Sequence, residues 1–377
     1  MKILIAGDVV PINSNRNIFK SKNVLDYFSD FTSVFTETDL FVANLECPLT
    51  SANQKAAKSG SSIKAEPDAI EGIGSINVNL LSMANNHIGD FGGIGVRDTI
   101  NQLKKHKLSC LGAGENPNEA RRPFIHNAKG KIIGVLSYAD FEFGMVNEHR
   151  PGANPFDTIH AFEDINSIKS QTDYIIVMLH DGKEYYSYPS PQLQKIGRYL
   201  IDLGADIVVC QHSHVIGAVE NYKAGTIVYG QGNFLFDYRD NRTKEWSSGF
   251  FIEINLKEKI DIDFIPFKQN YPGISRLSKQ EEEVFRLQFA EQSKHVLDPN
   301  FIKASWADLI SKQSSTYLST ALGHNSFLAK ILKKTGLYKY LISKEISLIM
   351  LNYIRSRVHR ESFREVLEQR IENKNQQ

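Results

Sequence analysis

Short β-branched runs alternate with longer amphipathic stretches through about residue 205, and that alternation restricts the chain to an α/β architecture. Strand character appears at Lys2–Ala6, Asp39–Ala43, Val78–Met83, Ser109–Leu111, Ile132–Ser137, Tyr174–Leu179 and Ile207–Cys210. Between them, Asn23–Phe35, Asp68–Ser75, Val96–His106 and Pro191–Leu203 read as helices. In the last, Leu193, Ile196, Leu200 and Leu203 fall on one face. This order places helices outside a largely parallel sheet. Further on, Thr226–Tyr229, Gly249–Ile254 and Ile260–Ile265 are joined by links too short for crossover helices. Antiparallel completion, and therefore mixed sheets, is expected there. From about Ser278 the pattern is helical, beginning with Lys279–Glu291.

The strand ends carry the chemistry. Gly7-Asp8, Asn44-Leu45-Glu46, Asn85-Asn86-His87 and His212-Ser213-His214 each close a strand, and His180-Asp181-Gly182 follows the run Tyr174–Leu179. The carboxyl ends of strands in an open α/β sheet form a common edge where distant segments converge. Four of the 11 histidines lie at these ends; the other seven fall in polar or helical contexts with no such pattern. Carboxylate, imidazole and amide ligands together suit Mn²⁺, Zn²⁺ or Fe²⁺ better than Mg²⁺ or Ca²⁺, which favour oxygen-only cages. One or two divalent ions are therefore expected. Two ions roughly 3.5–4 Å apart can clamp the oxygens of an in-line displacement at phosphorus. No Cys-X-X-Cys pair, Gly-rich P-loop or Gly-X-Ser-X-Gly elbow is present, which disfavours zinc modules, nucleotide kinases and serine hydrolases of that type.

Composition adds limits. At 377 residues, 41% apolar and 23% charged, the chain has material for a large α/β domain with an appendage. The net charge is +1, yet from Phe301 onward there are 13 Lys/Arg against 6 Asp/Glu, so the tail is distinct from what precedes it. That basic tail is a candidate contact for a membrane surface or a partner protein, and no nucleic-acid partner is expected. The spacing of Leu341, Ile342, Ile346, Ile349, Met350 and Tyr353 argues first for packing against the main domain or another subunit. Cys47, Cys110 and Cys210 are few and scattered, as buried reduced thiols are. Met1 leads straight into the first strand, and the run Tyr340–Ile354 is broken by Lys344 and Glu345. A cytoplasmic location is expected, with membrane association through the tail.

The segments quoted above, with Asn44-Leu-Glu46-Cys-Pro-Leu49, Ala84-Asn-Asn-His87-Ile-Gly-Asp90-Phe-Gly92, Gly112-Ala-Gly114 and Gly232-Asn-Phe234, resemble the CapA family in order over about residues 1–265. That family is of the poly-γ-glutamate capsule-synthesis type with a calcineurin-like metallophosphatase fold. The resemblance implies an α/β sandwich of two mixed sheets flanked by helices over residues 1–270; it does not cover the C-terminal hundred residues, where the helical pattern makes 271–377 a helical extension. It implies that Glu46 bridges two ions, with Asp8 and His214 on one and Asn86, His180 and His212 on the other. His87 would stabilise the transition state or protonate the leaving group, with Asp90 orienting its imidazole. Asn85, Asp181, Glu184 and Asn233 are candidate substrate contacts, and Lys64 and Arg150 are the nearest cations for an anionic group.

Two departures matter. Metallophosphatases usually carry Asp-X-His in the first motif, whereas position 10 is Val10, so one ion loses an imidazole. The usual His-Trp-Gly reads His180-Asp181-Gly182, which exchanges an aromatic wall for a carboxylate. The resemblance implies a metal-dependent hydrolase of a phosphoester, or of an amide or ester in a capsule or cell-envelope precursor. Its substrate would be an anionic small molecule or polymer. The alternative is an accessory protein of a polymer synthase whose metal site is structural.

Overall fold

A computed structural model of the chain describes residues 1–321 except 22, 239–241 and 258–259, together with 331–332, 334–335, 344–355, 359, 363 and 366–367. The chain divides into two compact units, Met1–Lys303 and Ala304–Gln377.

Strands of the first unit begin with β1 (Lys2–Val10), β2 (Leu40–Leu45), β3 (Leu80–Ser82), β4 (Ser109–Leu111) and β5 (Ala113–Gly114). Next come β6 (Phe124–Ala128), β7 (Lys131–Ala139), β8 (Gly152–Ala153), β9 (Tyr174–His180) and β10 (Ile207–Gln211). The remainder are β11 (Val219–Tyr222), β12 (Gly225–Val228), β13 (Asn233–Phe236), β14 (Ser248–Leu256), β15 (Ile260–Gln269) and β16 (Ile274–Arg276). Of the two large sheets, one runs β16-β15-β14-β1-β2-β3-β4, with β13 beside the end of β1, and the other runs β11-β12-β10-β9-β7-β6; β5 and β8 pair apart from them. Both large sheets are mixed. In the first, β1 to β4 are parallel and β14 to β16 antiparallel. In the second, β12, β10, β9 and β7 are parallel between antiparallel edges β11 and β6.

Antiparallel completion was expected of β12, but it lies parallel to β10. The reason is β11, which takes the outer position and turns the chain back through a hairpin, restoring the direction of β10.

The alternation of side chains sorts the core into layers. Ile3 and Ile5 of β1, Leu40 and Val42 of β2, and Phe250 and Ile252 of β14 face Val135, Ile176, Met178 and Val209 of the second sheet. Their neighbours Leu4, Ala6, Phe41, Ala43 and Phe251 turn outward to Phe28, Phe31, Phe35, Ile73, Val96 and Leu103. On the far side Leu136, Val177, Leu179 and Val208 meet Ile165, Leu193, Leu200 and Ile201. The result is helix, sheet, sheet, helix. Each fully buried ring or aliphatic chain in these layers contributes about 1.5–3 kcal/mol.

Local signals set the helix limits. Pro191–Leu203 starts on Ser190, whose hydroxyl accepts from the Leu193 N–H, with Pro191 in the first turn. It stops at Gly204, whose φ of 122° few other residues adopt. Lys279–His295 opens with a capping box between Ser278 and Glu281. It belongs to the first unit: the ring centroid of Phe289 lies 5.3 Å from Phe250 and 5.1 Å from Phe264. The boundary expected after residue 270 therefore falls inside that unit, because these phenylalanines cover the sheet.

Described residues of the second unit include the helix Lys344–Arg355, on which Leu348, Ile349, Leu351 and Ile354 are exposed. Leu341 and Ile342 lie outside the described residues, as do the side chains of Ile346 and Tyr353. Among the described residues, no helix is long and apolar enough to cross a membrane.

Candidate metal centre

The parallel strands of both sheets end at one edge, and their last residues supply the polar groups. Asp8 lies within β1, opposite Asn44 of β2 and Asn233 of β13. The ladder shifts register on both sides of Asp8, so the strand is bulged where its carboxylate is presented. Gly7 allows this approach: a Cβ there would sit 2.1 Å from the Gly232 carbonyl oxygen. Glu46 follows β2, His180 ends β9 opposite Gln211, and His212 and His214 follow β10. His212 and His214 have φ of 105° and 57°, left-handed values that cost a non-glycine residue about 1–3 kcal/mol and cluster at functional sites.

Two three-residue groups result, and they share Glu46. The donor atoms of Glu46, His180 and His212 lie within 4.8 Å of one another, as do those of Asp8, Glu46 and His214. Glu46 Oε1 is 3.4 Å from His180 Nε2 and 3.8 Å from His214 Nε2. Asn86 Oδ1 is 3.1 Å from His180 Nε2, which adds an amide oxygen to the first group. Both Glu46 oxygens and Nδ1 of His212 are buried without a hydrogen bond among the described residues. A buried carboxylate left so would cost several kcal/mol. Those orphaned atoms, and the mixed oxygen and nitrogen donors around them, fit one or two divalent ions, which Glu46 would help to hold.

Supporting bonds aim the ligands. The Asn44 amide donates to Asp8 Oδ1 at 2.8 Å and lies 3.3 Å from His180 Nδ1, leaving Nε2 toward Glu46. His214 Nδ1 is 2.9 Å from Asn233 Oδ1 and 3.2 Å from Asp8 Oδ2, so its Nε2 likewise faces Glu46. Trp246 packs its ring 4.7 Å from that imidazole. Such outer partners fix tautomer and orientation.

Burial pushes the Glu46 carboxyl well above the usual carboxylate range, and the charge of Asp8 adds to this. Burial would raise Asp8 too, but the hydrogen bond and charge of His214 outweigh it and hold Asp8 below its ordinary value. Burial brings His180 down to about 4, and burial with the neighbouring imidazoles holds His212 well below its ordinary value. Both are then neutral, which is the ligating form. Burial also acts to lower His214, but the Glu46 and Asp8 carboxylates prevail and bring it to about 9.

His87 stands at the mouth of the site. Its Nδ1 is 2.7 Å from Asp90 Oδ2, leaving Nε2 for a cleft of about 130 Å³. That cleft is lined by His87, His214, Glu184, Tyr185, Tyr238 and Trp246, among others.

The family described as bacterial capsule synthesis protein PGA_cap matches residues 2–238, well over half of the chain. This chain belongs to that family. Capsule biosynthesis protein CapA of Bacillus anthracis is 25% identical over 310 residues, covering 79% of this chain and 75% of its own length. PGA biosynthesis protein CapA of Bacillus subtilis strain 168 is 28% identical over 243 residues, covering 63% of this chain and 64% of its own. The match therefore spans under two thirds of the second relative. Among solved structures, a putative 5′-nucleotidase from Staphylococcus aureus is similar with a TM-score of 0.44 at 13% identity, covering 77% of this chain and 58% of that one.

In this PGA_cap member the structure brings Asp8, Glu46, Asn86, His180, His212 and His214 together, with His87 and Asp90 beside them. Two candidate substrate contacts have other work. Asn85 is fully buried; its amide donates to Asn44 Oδ1 and the Leu45 carbonyl, and its oxygen accepts from the His87 and Ile88 N–H groups. These bonds shape the loop that carries Asn86 and His87. Asn233, also fully buried, holds His214 and donates to the Trp246 carbonyl.

Glu184 does line the cleft. Asp181 is half-buried, and burial with the charge of Asp140 pushes it up to about 7. Lys64 donates to the Ala52 carbonyl and Arg150 to the Met145 carbonyl.

Sequence reasoning missed Asn44, Trp246 and Lys58. Asn44 sits inside a quoted motif, and its place two residues before Glu46 on the same strand face was the available signal. Trp246 supplies an aromatic surface from a distant loop, where position 181 has none.

Proposed function

We propose that this PGA_cap member is a metal-dependent hydrolase of the metallophosphatase type, acting in capsule or exopolymer synthesis on a phosphoester, or on an amide or ester of an envelope precursor. The observation that carries this reading is the Glu46 carboxylate, buried without a hydrogen bond and common to two ligand groups, with the His87–Asp90 pair at the cleft beside it. Divalent ions held by Asp8, Glu46, Asn86, His180, His212 and His214 would supply Lewis-acid polarisation and a nucleophile from water near neutral pH. The chain's own residues supply the rest. Asp90 fixes the imidazole of His87 through Nδ1, and Nε2 is then placed to take up a proton from the attacking water and, as the imidazolium, to pass that proton to the leaving-group oxygen or nitrogen. Tyr185, Tyr238 and Trp246 give the cleft one aromatic wall.

The test is turnover by the purified chain with Mn²⁺ or Zn²⁺ on phosphomonoester, phosphodiester and γ-glutamyl panels, beside His87→Ala. At least one class is expected to turn over, with a loss of about 10²–10⁴-fold in the variant at unchanged metal content. No turnover on any panel contradicts the reading, and equal rates remove the role of His87.

A second reading, an accessory protein of a polymer synthase, is favoured by the exposed Leu348, Ile349, Leu351 and Ile354 on Lys344–Arg355. Deleting residues 304–377 would then abolish synthase association without changing metal content; association that survives the deletion counts against it.

A further inference from the structure

The polar segment 51–62 has the composition of a free surface loop, yet its Lys58 side chain is only 7% exposed. The Lys58 ammonium pairs with Asp90 Oδ1 and donates to the Asn86 carbonyl at 3.2 Å. The other carboxylate oxygen, Oδ2, accepts from the Ile63 N–H at 2.7 Å and meets His87 Nδ1 at 2.7 Å. The Asp90 carbonyl in turn accepts from the Ala56 N–H at 2.8 Å. Asp90 itself is fully buried. The stretch from Ala56 to Ile63 thus supplies the counter-charge and a backbone donor to the carboxylate that aims His87. It also contributes Ser61 and Ile63 to the cleft.

We propose that Lys58 is a positioning residue for His87, acting through the Asp90 carboxylate. A buried carboxylate holds its place and its acceptor role only while its charge is balanced and its oxygens are bonded. With Lys58 present, Asp90 Oδ1 is committed to the ammonium, so Oδ2 remains the acceptor for Nδ1–H of His87. That fixes one imidazole tautomer and leaves Nε2 for the cleft. Without Lys58 the carboxylate loses its counter-charge, and the imidazole loses its fixed partner. The kinetic consequence rests on the hydrolase reading; the tautomer consequence does not.

The experiment uses the full chain, loaded with Zn²⁺ and labelled with ¹⁵N-histidine. Long-range ¹H–¹⁵N spectra are recorded for wild type, Lys58→Met and Lys58→Arg, with His87 assigned by its loss in His87→Ala. The wild type is expected to show His87 as a single tautomer with Nδ1 protonated. Lys58→Met is expected to shift it to a mixture at unchanged zinc content, and Lys58→Arg to retain the wild-type signal. If Lys58→Met does not fold, Lys58→Gln, which keeps a donor but no charge, takes its place. On any substrate that turns over, kcat is expected to fall roughly tenfold or more with KM unchanged in Lys58→Met, and to recover in Lys58→Arg.

A Lys58→Met spectrum identical to wild type at His87 overturns the proposal whether or not any substrate is found. So does a mixed tautomer in the wild type. Absence of turnover in the wild type counts against the hydrolase reading alone.

Discussion

Glu46 Oε1 lies 3.4 Å from Nε2 of His180, and the two residues come from different sheets. Glu46 follows a strand of the first sheet and His180 ends a strand of the second. The centre is therefore a seam between the sheets, and an ion there would tie one layer to the other.

The two ligand groups are unequal. Asp8 and His214 complete one side of Glu46, whereas His180, His212 and Asn86 complete the other. Position 10, where an imidazole would balance them, is Val10, fully buried in the core. Titration with a chelator is expected to remove the ions in two steps, the Asp8/His214 side first, as followed by metal analysis against protein. Release of both in one step would show that the missing imidazole does not matter.

Metal loading should depend on pH with a definite sign. Burial acts to lower His214, but the Glu46 and Asp8 carboxylates raise it to about 9, so below that value His214 and Glu46, 3.8 Å apart, hold a proton between them. That proton must leave for the pair to ligate. Affinity should then fall as pH falls from 9, by about tenfold per pH unit. Calorimetric titrations in buffers of different ionisation enthalpy would count the protons released. An affinity that stays flat between pH 6 and 9 would contradict the assignment.

Much of this was legible in the sequence, for identifiable reasons. Ile3, Leu4, Ile5 and Ala6 form a short unbroken apolar run, as a strand buried on both faces does. The ligands were legible because they stand at strand ends. What was not legible depends on folding distant segments together. Nothing local marks Lys58 as buried, since its partner Asp90 lies 32 residues away. Trp246 comes from a loop before β14, and only the folded chain sets it against His214. Asn85 reads as an exposed amide until its four bonds are drawn.

The aromatic layer outside the first sheet should dominate stability. Phe251 is fully buried, with ring centroids 4.6 Å from Phe267, 5.1 Å from Phe234 and 5.4 Å from Phe31. Phe251→Ala is expected to cost about 3–5 kcal/mol in denaturant unfolding of the metal-free chain. A cost below about 1 kcal/mol would mean that this layer is not the packed core described.

If Glu46 is shared between two ions, the metal content of Glu46→Gln must show it. The substitution keeps the side chain's size and removes the bridging charge. Wild type loaded with Mn²⁺ or Zn²⁺ and freed of excess metal is expected to hold two ions per chain, and Glu46→Gln to lose both while remaining folded. A variant that retains both ions, or a wild type that binds none, would contradict the account.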